Sequence, residues 1–304
     1  MRTVTTTLCL AAILCGAQAH EGPEHEIEEL TGRMQKHGES ADLLMERAIE
    51  YRVLGKLAEA TKDLERAALL DGSSVPVHRE LSRVLFLAGK LDEALAIAAS
   101  GLGLKAGEAP DLASLRALRA ELWLSKKEPK KALEDCDEAL RLHARNPEWY
   151  LLRSGIQQRL KMHKERLAGI EEGIAATGAG VLEIERIEAM IDAGQFRAAQ
   201  PLIETELNDS RIKSSWLIRR ARTFFGLQKK AEAEADLKSA LAEIAPRLRA
   251  KNPDVPLLLD KALVHELLGQ TGDALRIYED ARDKGAADSV NDKIKALKDS
   301  GAGK

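Results

Sequence analysis

Cysteine is nearly absent from this 304-residue chain, with Cys9, Cys15 and Cys136 as its three examples. Two of them lie in an N-terminal stretch that reads as a removable signal. The one thiol left cannot form an internal disulfide, so the fold is not stapled by cystines. An excess of positive charge is lacking too: 46 Lys+Arg face 49 Asp+Glu, a net charge of −3, which excludes the basic footprint of a nucleic-acid binder. Beyond the N-terminus no apolar run approaches the ~18 residues that a membrane-spanning helix needs. Catalytic motifs are missing as well. The chain has no phosphate-cradling glycine loop, no G-x-S-x-G elbow and no H-E-x-x-H. His37, His78, His143, His163 and His265 are scattered, with no pair at i, i+4. An enzyme is therefore not expected, and neither is a cofactor or a metal site in the body of the chain.

Residues 1–19 carry Arg2, an apolar stretch from Leu8 to Leu14, and Ala17-Gln18-Ala19 as an A-x-A cleavage site. This pattern predicts a secretory signal peptide over 1–19, and hence an exported protein, periplasmic or secreted. Removal of Arg2 leaves 45 Lys+Arg against 49 Asp+Glu, a net charge of −4. Cys15 raises the alternative of a lipidated cysteine, but large Leu14 stands where that signal wants a small residue. Cleavage would make His20 the first residue, with His25 nearby. An amine beside an imidazole can chelate copper or zinc, so metal handling is one alternative reading of this leader. A polar leader without a role is the simpler one.

What the chain has in abundance is repetition. Leu54-Gly55-Lys56-Leu57-Ala58-Glu59-Ala60 returns further on as Ala88-Gly89-Lys90-Leu91-Asp92-Glu93-Ala94. A period of about 34 residues means stacked supersecondary units. Repeats are read at 41–74, 75–108, 113–146, 147–179, 180–213, 214–247 and 255–288, each as two amphipathic helices with apolar residues at i, i+3, i+4 and i+7. The eighth place is small at Ala48, Ser82, Ala120, Ser154, Ala221 and Ala262, with Ile187 departing. The twentieth is Ala at 60, 94, 132, 199, 233 and 274, with Arg166 departing. Small side chains at a crossing let two helix axes approach. Gly55, Gly89, Gly194 and Gly269 mark left-handed turns between the helices, where Lys127, Lys161 and Gln228 stand in the other repeats. Residues 20–40 supply a leader and a capping helix with Ile27, Leu30 and Met34 on one stripe. Residues 289–304 supply a C-terminal cap with Val290, Ile294 and Leu297, and then a tail. Pro246 should kink or close the second helix of repeat six.

These phased residues resemble a tetratricopeptide-repeat array of an exported bacterial type. The resemblance implies an all-α, right-handed α-solenoid of about seven helical hairpins over 41–288, with caps at both ends. It also implies a non-enzymatic scaffold or adaptor that binds a partner segment in a concave groove, here in the cell envelope. The alternative within that class is an assembly factor for an envelope complex or polymer-export machine. By the family's geometry the groove is lined from the first helices at places two, five, nine and twelve. Arg79, Arg83 and Phe86 in repeat two, and Arg222 and Phe225 with Arg219 in repeat six, are the candidate groove residues. Arginine beside an aromatic ring is the composition of a hot spot, and suits an acidic-and-apolar protein segment. The Lys and Asn of the chaperone-tail clamp are absent, since Met45 and Ile49 stand in those places of repeat one.

Two further readings concern structure. Basic residues recur at place seven as Arg47, Arg119, Arg153, Arg186, Arg220 and Lys261. Three of them share their repeat with an aspartate at place twenty-three, Asp63, Asp135 or Asp236, which predicts ion pairs across the hairpin. Cys136 falls at a core place of its second helix and reads as a small buried hydrophobe.

Overall fold

The computed structural model describes residues 22–104, 107–248, 254–286 and 289–301. The expected signal peptide, its cleavage site, Cys15 and His20 lie outside the described residues. All regular structure among the described residues is helical: α1 (Pro23–His37), α2 (Ala41–Val53), α3 (Leu57–Leu70), α4 (Val75–Leu87), α5 (Leu91–Leu102), α6 (Ala109–Ser125), α7 (Pro129–Leu142), α8 (Pro147–Arg159), α9 (His163–Thr177), α10 (Gly180–Asp192), α11 (Phe196–Asp209), α12 (Ser214–Gly226), α13 (Lys230–Ile244), α14 (Val255–Leu267), α15 (Thr271–Asp283) and α16 (Ser289–Gly301). From α2 to α15 they pair into seven hairpins at the expected places. The backbone packs as two compact units that divide between His143 and Ala144, so α1–α7 form one and α8–α16 the other.

The hairpins form for local reasons. Ser40, Ser74, Asn146 and Asp254 cap first helices by accepting a backbone N–H with their side-chain oxygens. Between the helices the chain turns left-handed at Gly55, Gly89, Gly194 and Gly269. Lys127, Lys161 and Gln228 make the same turn with φ of 61°, 58° and 61°, a conformation that costs a residue with a Cβ about 1–2 kcal/mol. Pro246 closes α13 at Ile244, where a short 3-10 turn over Ala245–Arg247 follows.

Packing inside each hairpin follows the small places. Ala48, Ala120, Ala221 and Ala262 are fully buried, as are Ala60, Ala94, Ala132, Ala199, Ala233 and Ala274. At place 27, Gly173 admits the Tyr150 ring so closely that a Cβ there would lie 2.6 Å from its Cγ. Successive first helices also touch one another, α2 on α4 and α4 on α6 in the first unit, and α8 on α10, α10 on α12 and α12 on α14 in the second. Second helices pack chiefly against the first helices on either side. The first helices thus form the inner layer of each unit. Both caps close an open end: α1 buries Leu30 and Met34, and α16 buries Val290 and Ile294.

The expected ion pairs are present and bidentate. Arg47 donates from Nε and Nη2 to Asp63 at 2.7 and 2.8 Å. Arg119 does so to Asp135 at 2.6 Å twice, and Arg220 to Asp236 at 2.7 and 2.8 Å. Two of these arginines also reach backward: Arg47 to Thr31 on α1 at 3.0 Å, and Arg220 to Glu204 on α11 at 2.9 Å. The guanidinium therefore joins three consecutive helices. Repeat four has Gly169 in the aspartate's place, and Arg153 turns to the Gly169 carbonyl and to Glu172. The hydrogen bonds to Asp63 hold the Arg47 pKa above its ordinary value. Asp135 is buried and also accepts from Arg116 at 2.9 Å. Asp135→Asn leaves two guanidiniums without their anion, so urea unfolding should show a loss of about 2–3 kcal/mol. Arg141→Ala, which removes an exposed pair with Glu138, should leave the transition nearly in place. Equal effects of the two substitutions would refute a staple role for Asp135.

Candidate functional site

The inner layer carries two charged constellations, one in each unit. In the second unit the first helices α10 and α12 lie side by side, so residues one repeat apart are neighbours. Glu188 and Arg222 stand one repeat apart and meet at 2.6 Å, while Arg222 gives its other amine to Asp192 at 2.7 Å. Arg219 reaches Glu188 at 2.7 Å and stacks over the Trp216 ring, 4.8 Å from its centroid. Burial works against the charge of Arg222, but Glu188 and Asp192 more than offset it, and its pKa is raised. Arg222 is thus consumed by its own chain's carboxylates, and Arg219 is drawn to the same Glu188 through Nε without a hydrogen bond of good geometry.

The same network runs on to Arg166, the residue that departs from alanine at place twenty. Its side chain is almost wholly buried. It donates to Ser154 Oγ at 2.8 Å, to Glu185 at 2.6 Å, and to Asp192. Where the regular hairpins put a methyl group against a small residue, repeat four puts a guanidinium against a hydroxyl and ties α8, α9 and α10 together. Sequence reasoning noted this departure and missed its role. The spacing held a signal: opposite charges at one place of successive repeats, as at Glu188 and Arg222, sit on adjacent first helices.

In the first unit, Glu80 on α4 is buried among three arginines. Arg79 approaches it at 3.3 Å, Arg52 of α2 at 3.5 Å and Arg83 at 4.0 Å, each through Nε. Arg83 keeps 39% of its side chain exposed. Phe86 and Phe225 are half-buried and pack against the cores of their units, so each ring offers only part of its surface to the inner face. Other apolar groups stand more openly there. Val181 and Ile184, at places two and five of repeat five, are 50% and 42% exposed. Val53 and Leu87 occupy the place that Asp192 holds in its repeat, and are 59% and 53% exposed. These four were not among the sequence-based candidates.

Cys136 is fully buried in α7. Among the described residues no group of three or more His, Cys, Asp or Glu side chains is placed to hold a metal ion. His25 lies exposed on the first turn of α1. No described helix is long and apolar enough to cross a membrane.

Asp260 on α14 is half-buried, and burial raises its pKa. Arg219 opposes that shift, Glu188 adds to it, and Arg247 and Asp254 act in the same opposed senses. A carboxyl whose folded pKa is raised binds its proton more tightly in the folded state. Its stabilisation is fully present below the ordinary carboxylate pKa and is lost as pH rises through the folded value. Asp260→Asn should therefore raise the melting temperature at neutral pH, and the gain should vanish below about pH 4. A gain that persists in acid would show that Asp260 acts through packing instead.

No family model matches the chain, and no curated protein matches it. Among solved structures it is similar to a tetratricopeptide repeat protein from Parabacteroides merdae, at 17% identity and a TM-score of 0.62 over 90% of this chain and 98% of that one. It is also similar to a chain of the APC/C hetero-tetramer Cut9–Hcn1, at 11% identity and a TM-score of 0.53 over 90% of this chain and 46% of that one. At such identities the likeness concerns the fold, and it agrees with the small places, the turns and the inner layer of first helices: the chain has the tetratricopeptide-repeat fold.

Proposed function

We propose that this chain is a non-enzymatic scaffold or adaptor that binds a segment of a partner protein on the inner, first-helix layer of a unit. The observation that carries the reading is the inner layer of each unit, taken by itself. Val181 and Ile184 in one unit, and Val53 and Leu87 in the other, expose aliphatic surface beside fixed charges. Aliphatic anchors next to oriented ionic groups are what a peptide-binding surface uses for affinity and register. A solved structure of the same fold belongs to a hetero-tetramer, which accords with this use.

The test compares the two sides of the helical layers. Val181→Lys with Ile184→Lys places charge on the inner face, whereas Leu69→Lys alters an outer helix where Leu69 is 78% exposed. Affinity capture should lose its specific partner with the inner-face variant and keep it with the outer-face one. Undiminished capture by the inner-face variant would remove this surface from the interaction.

The apolar run Leu8–Leu14 and the Ala17-Gln18-Ala19 site support export to the cell envelope as the setting for that interaction. Mass spectrometry of the native protein should then find His20 at the amino terminus. A mature chain that keeps Met1 would refute export by this route.

A further inference from the structure

The two constellations differ in how far their arginines are already engaged, and that difference selects a binding site. In the second unit Arg222 spends both terminal amines on Glu188 and Asp192 at 2.6 and 2.7 Å. In the first unit Arg52, Arg79 and Arg83 approach Glu80 most closely through Nε, at 3.3 to 4.0 Å. Their terminal amines make no hydrogen bond among the described residues, and the Glu80 Oε2 atom is buried without a hydrogen-bond partner. One carboxylate cannot satisfy three guanidiniums, each of which presents a planar fork that fits a carboxylate with two parallel bonds. Glu80 holds the three in one place and leaves their outer edges open. The matching inner places of α6 hold Ala117 and Glu121.

We infer that the Arg52–Arg79–Arg83 cluster of the first unit is a receptor for carboxylate side chains of an acidic, partly apolar peptide segment. Val53, Phe86 and Leu87 supply the adjoining apolar contacts. This rests on the inner-face reading above and refines it. Arg222 of the second unit is structural, because any incoming carboxylate there would have to displace Glu188 and Asp192. The occupant is an acidic protein segment because anion-seeking forks stand beside exposed aliphatic groups, Arg52 next to Val53 on α2 and Arg83 one turn before Leu87 on α4.

The experiment selects peptides from a random phage-displayed library on the intact protein, then measures them against three forms of it. Selected sequences should be rich in Asp or Glu beside Leu, Ile or Phe, and binding should weaken as salt rises. Arg79→Gln with Arg83→Gln should lower affinity about tenfold or more, since charged fork contacts are lost, with circular dichroism unchanged. Glu188→Gln with Arg222→Gln should lower the melting temperature and leave peptide affinity within about twofold, because it breaks an ionic network that lies wholly within the second unit. Enrichment of peptides without acids, or equal binding by the Arg79/Arg83 variant, would overturn this assignment and leave inner-face binding standing. If the library yields peptides whose binding survives Val181→Lys with Ile184→Lys and the Arg79/Arg83 variant alike, both readings fail. Failure to enrich any peptide would also count against both.

Discussion

Everything in this architecture depends on one close contact, the meeting of the eighth and twentieth places of each repeat. In the regular hairpins both positions are filled by Ala or Ser with no accessible surface, so small side chains alone separate the two helices at the crossing. In repeat two the contact is partly polar, because Ser82 Oγ donates to the Ala94 carbonyl at 2.9 Å. A larger side chain would wedge the hairpin open, and overpacking of this kind costs about 1–3 kcal/mol. Repeat four shows what replaces it. Arg166 cannot stand as a wedge, and instead passes between the helices to hydroxyl and carboxylate partners on α8 and α10. The contact is kept, but its chemistry has moved from packing to ion pairing.

The second constraint is that stacked hairpins must hold their neighbours as well as themselves. A purely aliphatic interface would fix the distance between repeats and leave their register loose. The bidentate arginines supply direction. Arg47 and Arg220 each bind the aspartate of their own second helix and a polar group on the preceding one, so one planar group sets two interhelical relations. Desolvation tempers the gain from each pair, so their main contribution is orientation.

Much of this was legible in the sequence because repetition multiplies a weak signal. A single Ala proves little, whereas Ala at 60, 94, 132, 199, 233 and 274 marks one packing place. The joint recurrence of Arg47, Arg119 and Arg220 with an aspartate at place twenty-three identified the staples, because their absence from repeat two was shared. What stayed hidden lay between repeats. Place numbers say that Arg219 and Arg222 sit on a first helix, but not that Glu188 and Asp192 of the preceding one neutralise them. The exposed pair Val181 and Ile184 escaped notice for a related reason. Helical periodicity marks apolar residues as core, and only the stacked structure shows which apolar stripe has been left uncovered.

That distinction bears on how an inner face of this fold acquires a ligand preference. Arginine in such a layer has two fates, set by whether its forward or backward neighbour is acidic. Where Glu188 precedes Arg222 by one repeat, the pair closes on itself and rigidifies the stack. Where Ile49 precedes Arg83 by one repeat, the guanidinium finds no acid at the matching place and stays partly exposed. A single substitution at that preceding place would convert one fate into the other, without touching the small residues on which the hairpins depend. Ligand chemistry and fold stability are therefore written at different places of the same repeat. Ala48 and Ala60 can stay fixed while Arg52, Arg79 and Arg83 vary.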